Sequence, residues 1–184
     1  MRRKIFIAIN LDEKTKRFIH GKTEKLATQT ADLDMKWTDQ ANYHITLAFI
    51  GYVSDDEISE ICSKIKEAIK DTEIFDLSFR TIGWGPNNQT PKMIWLGGEI
   101  NEELIVLRHK IEEALAGIPT DRKKFKPHIT LGRLGRHRPQ NAEDFPDISS
   151  ETNILVPVIS LELMESITQK GKKNYYVMES FELL

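Results

Sequence analysis

The chain has 184 residues, 40% hydrophobic and 29% charged, with a net charge of −2. This length allows one sizeable core, or two small lobes sharing an interface, and excludes several independent domains. Composition is that of a soluble globular protein: no stretch approaches the roughly 20 apolar residues of a membrane span, and the lone Cys62 rules out an internal disulfide or a Cys-rich metal framework, which predicts a reducing, cytoplasmic setting.

Lys4 to Ile9 reads as a buried first strand, since its few apolar residues fall short of the roughly 7–15 of a signal-peptide core. A helix follows, with Leu11, Thr15, Phe18, Ile19, Lys22 and Leu26 near one side and Asp12 at its start. Strand signals return from Asp34 to Trp37 and from Tyr43 to Ile50, with Gly51 closing the run. Ser54 and Glu57 form a capping-box signature ahead of Ile58, Ile61, Cys62, Ile65 and Ile69 on one stripe, which makes Cys62 a core residue and not a nucleophile. Phe75 to Trp84 and Lys92 to Leu96 are strands joined through a turn at Gly85-Pro86-Asn87-Asn88. Leu104, Leu107, Ile111 and Leu115 mark a third helix that ends near Gly117. A strand beginning after Phe125, a Gly/Arg/Pro-rich loop from Gly135 through Pro146, and strands from Ile154 to Met164 and from Tyr175 to Phe181, paired around Gly171, complete the chain.

The tetrapeptide His-Ile-Thr-Leu occurs twice, at His44-Ile45-Thr46-Leu47 and His128-Ile129-Thr130-Leu131, 84 residues apart, each followed by a small residue and, seven residues after the histidine, a glycine. In a strand, residues i and i+2 share a face, so each copy presents an imidazole and a hydroxyl on one side and two aliphatic chains on the other. Sheet packing explains the Ile and Leu positions but asks for neither His nor Thr. Each half of the chain carries one copy with similar elements around it. This predicts a single bilobal domain over 1–184, a two-lobed, pseudo-symmetric α+β protein with antiparallel sheets lining a central cleft and helices on the outer faces. Two such strands meeting across the cleft would surround a small anionic group with two titratable rings and two neutral donors, an arrangement suited to acid/base chemistry on a phosphate. Between Arg122 and Arg138 lie seven Lys or Arg and no acidic residue, leaving −9 elsewhere. This concentration beside the second motif would attract a phosphate-bearing partner.

With the opening Ile5-Phe6-Ile7-Ala8-Ile9, Trp37 shortly before the first motif, Phe125-Lys126-Pro127 leading into the second with Gly132-Arg133 after it, and Leu161-Glu162-Leu163-Met164-Glu165-Ser166 near the end, the chain resembles the 2H phosphoesterase superfamily. Within it, the likeness is to the RNA 2′,3′-cyclic phosphodiesterase group, historically called 2′-5′ RNA ligases. The resemblance implies a LigT-like fold and hydrolysis of a cyclic phosphodiester at an RNA end, or in a small cyclic nucleotide, without cofactor or metal. His44 and His128 are then the catalytic pair, with Thr46, Thr130 and Arg133 binding the phosphate. Opening to a 2′-phosphate makes the 3′ oxygen the leaving group. His44 is assigned as acid and His128 as base, while pseudo-symmetry leaves the reverse open. The reverse reaction would join RNA ends. The default oligomeric state is a monomer, with no membrane partner.

Trp37, Tyr43 and Phe49 are candidates to stack a base, or else to sit in the core or line the cleft; Trp84 and Trp95 are read as core, His20 and His109 as solvated, and His137 as a phosphate contact. Two other classes compete. A nucleotide- or RNA-binding module without turnover could use the same cleft, but Arg, Lys or Ser would serve binding as well as two histidines. A zinc hydrolase would need further ligands, and no His-Glu-x-x-His or Cys cluster is present.

Overall fold

Five consecutive buried residues, Ile5 to Ile9, make the first strand the centre of one half of the molecule. A strand buried on both faces needs neighbours on both edges and cover on both sides. A computed structural model describes residues 2–120, 125–136, 139 and 141–184. The elements run β1 (Arg2–Asn10), α1 (Glu13–Gln29), β2 (Met35–Trp37), a 3-10 turn (Gln40–Asn42), β3 (His44–Ser54), α2 (Asp55–Ile69), β4 (Phe75–Gly85), β5 (Met93–Gly98) and α3 (Glu102–Ala114). They continue with β6 (His128–Leu134), a second 3-10 turn (Ala142–Asp144), β7 (Ser150–Val158), β8 (Ser160–Gln169) and β9 (Lys172–Glu182).

The strands form one antiparallel sheet in the order β7-β4-β5-β6-β3-β1-β8-β9, with the short β2 on β6. β3 and β6, where its two halves meet, pair at a single position, Ile45 opposite Ile129, and β2 pairs further along β6. On either side of this seam the pattern repeats: β1 and β3 are antiparallel neighbours with α1 between them in sequence, as β5 and β6 are with α3 between them. In a flat sheet β7 and β8 would lie about 29 Å apart, six strand spacings of about 4.8 Å. Only Ile159 separates them in the chain, so the sheet must curl until its ends approach.

Helix starts follow their local signals. Asp12, Ser54 and Asn101 each accept a backbone N–H of the first turn, and Ser54 with Glu57 completes the expected capping box. One hydrophobic cluster runs through both halves and includes Ile61, Ile65 and Ile69 of α2 and Leu104, Leu107 and Ile111 of α3. Cys62 is half-buried against it, consistent with a packing role. A small second cluster, Phe6, Ala8 and Met164 with Tyr175, lies on the other face of β1.

Three local expectations are corrected. On α1 the buried face is Lys16, Ile19, Thr23 and Leu26, whereas Phe18 is exposed and lies beneath the Lys22 ammonium. Hydrophobic periodicity passed over Thr23 because its hydroxyl is satisfied inside the protein, by the Ile19 carbonyl and the Tyr43 hydroxyl at 3.0 Å. Gly51 does not end its strand. With φ of +95° it forms a bulge between Ile5 and Phe6 of the partner, and β3 continues to Ser54. The run from Ile154 to Met164 is two strands broken at Ile159: β7 pairs with β4 and β8 with β1, in opposite halves. The final hairpin of β8 and β9 turns at Lys170 and Gly171, as read from the sequence.

Tyr43 is fully buried, and its hydroxyl bonds to the equally enclosed Thr23. Tyr43→Phe removes that bond while keeping the ring, so stability should fall by about 1 kcal/mol. Urea unfolding should show a lower midpoint with an unchanged slope; an unchanged midpoint would mean the bond contributes nothing net.

Candidate active site

On β3, Ile45 and Leu47 are buried while His44 and Thr46 are half-exposed on the opposite face, and β6 repeats the alternation with Ile129 and Leu131 against His128 and Thr130. Because Ile45 faces Ile129 in an antiparallel pair, the register sets His44 toward Thr130 and Thr46 toward His128. The four polar residues thus lie on one face of the sheet, across the seam between its halves.

Each imidazole is oriented in the same way. Nδ1 of His44 lies 2.7 Å from the Asn42 carbonyl, and Nδ1 of His128 lies 2.7 Å from the Lys126 carbonyl, in both cases two residues back along the chain. A carbonyl only accepts, so Nδ1 carries the proton and the Nε2 lone pair of each neutral ring is left for chemistry. The Nε2 atoms differ: that of His44 is 2.9 Å from the Thr46 hydroxyl, whereas that of His128 has no hydrogen-bond partner among the described residues.

The ring faces are packed. His44 sits against Phe6 at 5.1 Å and edge-on to Tyr175 at 4.8 Å, and His128 lies against Trp95 at 4.5 Å. This enclosure disfavours the charged form: burial pushes His44 from 6.5 down to about 4, opposed by the Asn42 carbonyl and reinforced by the charges of His128, Arg133 and Lys16. His128 is also lowered, first by burial, with the Lys126 carbonyl opposing and Arg133 adding to the effect. Thr130 and Arg133 make only weak contacts to the Met93 sulfur, at 4.0 and 3.9 Å, which leaves their donors ready for a stronger acceptor.

Of the aromatic candidates, Tyr43 is core and is not available to a base, Phe49 is exposed beside Phe6, and Trp37 is half-buried over Gly132, where an added Cβ would meet its ring at 2.9 Å. Trp95, read as core, instead supports the second histidine, and Trp84 is half-buried against the core. His20 and His109 are exposed, the latter 3.3 Å from Glu113. His137, with Arg122, Lys123, Lys124 and Arg138 of the basic stretch, lies outside the described residues. Sequence reading missed Asn42 and Tyr175. The Asn42 amide donates to the Lys173 carbonyl at 2.9 Å and accepts from the Tyr175 N–H at 3.2 Å, so one side chain ties the terminal hairpin to the turn that orients His44. No local pattern marks a partnership between residues 133 positions apart. Among the described residues, no group of three or more His, Cys, Asp or Glu converges to hold a metal, and no helix is long and apolar enough to cross a membrane.

A curled antiparallel sheet with paired His-x-Thr strands at its seam defines the class as the 2H phosphoesterases. A family model described as the 2′-5′ RNA ligase superfamily matches residues 23–169, and the chain belongs to that family. It is similar to an RNA 2′,3′-cyclic phosphodiesterase of Archaeoglobus fulgidus, 29% identical over 91% of this chain and 94% of that one. A crystal structure from Thermus thermophilus matches with a TM-score of 0.79 at 25% identity, covering 100% of this chain and 98% of that chain. Escherichia coli LigT, crystallised with 3′-AMP, matches in fold with a TM-score of 0.79 at 23% identity, covering 100% of this chain and 99% of that chain.

Proton-detected NMR of the imidazoles should find the Nδ1–H form at both histidines, with His44 titrating near pH 4 and His128 below 6.5; an Nε2–H form at either would contradict the carbonyl-set orientation. The lowered His44 value also has a stability consequence. Its contribution is complete above pH 6.5 and is lost as pH falls toward about 4, because there the unfolded chain takes up a proton that the folded one resists. The His44→Gln variant should therefore lose less stability over that interval than the parent.

Proposed function

We propose that this chain hydrolyses 2′,3′-cyclic phosphate ends of RNA to 2′-phosphates, using His44 and His128 as an acid/base pair without a metal. The reading is carried by one observation: two imidazoles, each held by a carbonyl two residues back, present Nε2 on the same face of one seam. The similarity to RNA 2′,3′-cyclic phosphodiesterases supports the same chemistry.

His128 is the better base in the resting site, because its Nε2 lone pair has no partner among the described residues and is open to water. It takes a proton as the water oxygen attacks phosphorus, the bond to the 3′ oxygen breaks, and His44 Nε2–H delivers a proton to that departing oxygen. Thr46 and Thr130 donate to the non-bridging oxygens, and Arg133 offsets the negative charge that gathers there. Thr46, engaged with His44 before substrate arrives, turns to the phosphate and frees Nε2. With a 5′-hydroxyl in place of water as the nucleophile, the same pair joins two RNA ends through a 2′-5′ linkage, the 3′ oxygen again leaving.

An acid role for His44 requires a proton that the empty site resists, since burial holds the ring neutral. An anionic phosphodiester supplies the missing countercharge, so substrate binding and proton uptake are coupled. Values of kcat/KM, which report the free enzyme, should already be falling with rising pH below 6.5, because both imidazoles of the empty site are lowered from that value, while the alkaline limb of kcat lies at higher pH. Coincident limbs would contradict this coupling.

His44→Ala and His128→Ala should each cost at least about 10²-fold in kcat while the fold is kept, and the product of an RNA end should carry its phosphate on the 2′ oxygen. Near-wild-type turnover in either variant refutes the pair. Activity should persist in a chelator; its loss, restored by added metal, would overturn the metal-free mechanism.

A further inference from the structure

At the end of β6, against the segment that joins β4 to β5, lies a cleft of about 430 Å³, lined by Gln89, Thr90, Lys92, Arg136 and Phe145 together with two prolines. We propose that it is a subsite for the RNA backbone on the 5′ side of the reacting nucleotide, which would make RNA ends better substrates than small cyclic nucleotides; this rests on the cyclic phosphodiesterase reading above.

Position is the first argument. Lys92 directly precedes Met93, whose sulfur contacts both Thr130 and Arg133, and the Lys92 carbonyl accepts the Leu134 N–H at 3.0 Å. The cleft therefore begins one residue from Met93, the neighbour of two groups assigned to the reacting phosphate. Covalent chemistry fixes what can extend into it. In an RNA ending in a 2′,3′-cyclic phosphate, both the 2′ and 3′ oxygens are in the ring, so the chain leaves the site only through its 5′ oxygen. The next anion is the phosphodiester at that oxygen.

The lining suits such a ligand. Lys92 and Arg136 contribute two positive charges, and among the described residues no carboxylate lines the cleft and neither cation has an ion-pair partner. Uncompensated cations of this kind bind phosphodiesters regardless of sequence. Phe145 adds an aromatic ring, held by its edge contact with Trp84 at 5.1 Å and by the Trp84 indole N–H donating to the Pro146 carbonyl at 3.0 Å, which suits it to stack on a base. The facing wall is also fixed. Asn87 Oδ1 accepts the backbone N–H groups of Gln89 and Thr90, at 3.0 and 2.8 Å, and the Lys92 N–H donates to the Gly85 carbonyl at 2.8 Å.

The test compares a nucleoside 2′,3′-cyclic phosphate with a trinucleotide carrying the same cyclic end, in the full chain and in the Lys92→Gln/Arg136→Gln double variant. The trinucleotide should be preferred in kcat/KM by at least about tenfold, an advantage that shrinks between about 50 and 200 mM salt and falls close to one in the variant. A wild-type ratio near one, or a ratio retained in the variant, overturns the subsite. Binding separates this inference from the catalytic reading: a trinucleotide ending in a 3′-phosphate should bind more tightly than a nucleoside 3′-phosphate, by calorimetry, and the double variant should lose that difference. Loss of the difference in a protein that fails to turn over any cyclic phosphate would uphold the subsite and sink the proposed reaction; equal binding of the trinucleotide by both proteins would sink the subsite alone.

Discussion

The contact on which the rest depends is the rung between Ile45 and Ile129, two fully buried side chains at the one position where β3 pairs with β6. An antiparallel rung fixes register, and a slip of one residue would turn every side chain to the opposite face. Here that would exchange the imidazoles for the isoleucines, placing two titratable rings in an apolar core. Burying each isoleucine is worth about 1.5–3 kcal/mol, so the core holds the register on behalf of the polar face. The aliphatic positions of the repeated tetrapeptide are thus what aim its polar ones.

Orientation is settled by a second device that also occurs twice. The carbonyl two residues before each histidine fixes which ring nitrogen carries the proton, and packed aromatic rings fix the plane. The two environments are alike in logic but unequal in content. His44 is enclosed by Phe6 and Tyr175 and bonded to Thr46, whereas His128 rests on Trp95 with Nε2 open. The proposed acid/base pair would benefit from such inequality, because identical surroundings would leave the proton shared without direction.

The terminal hairpin contributes more than an edge to the sheet. Through Asn42, whose amide pairs with the backbone at Lys173 and Tyr175 like one further rung, the last strand holds the turn that carries the His44 carbonyl partner. The curl of the sheet makes this contact available. With only Ile159 between β7 and β8, the chain passes from one half to the other and returns β9 to the neighbourhood of the first motif.

Much of this was legible in the residues themselves. Alternation around His44 and His128, the Ser54 and Glu57 cap, the stripes of α2 and α3, and the turn at Gly171 are governed by neighbours within a few positions, and local rules of periodicity and capping read them directly. Local rules stop where satisfaction comes from a distance. Thr23 could be buried only because Tyr43 meets its hydroxyl, Gly51 became a bulge only because β1 lay alongside, and Trp95 became the support of a histidine only once β5 paired with β6. The sequence by itself determined which residues could perform acid/base chemistry and which face of their strands they occupy, because a period of two is a property of the strand alone. Tertiary structure decided that the two strands share a seam, which nitrogen of each ring is free, and how strongly each ring resists a proton, because these depend on carbonyls, aromatic rings and charges that only the folded chain brings together.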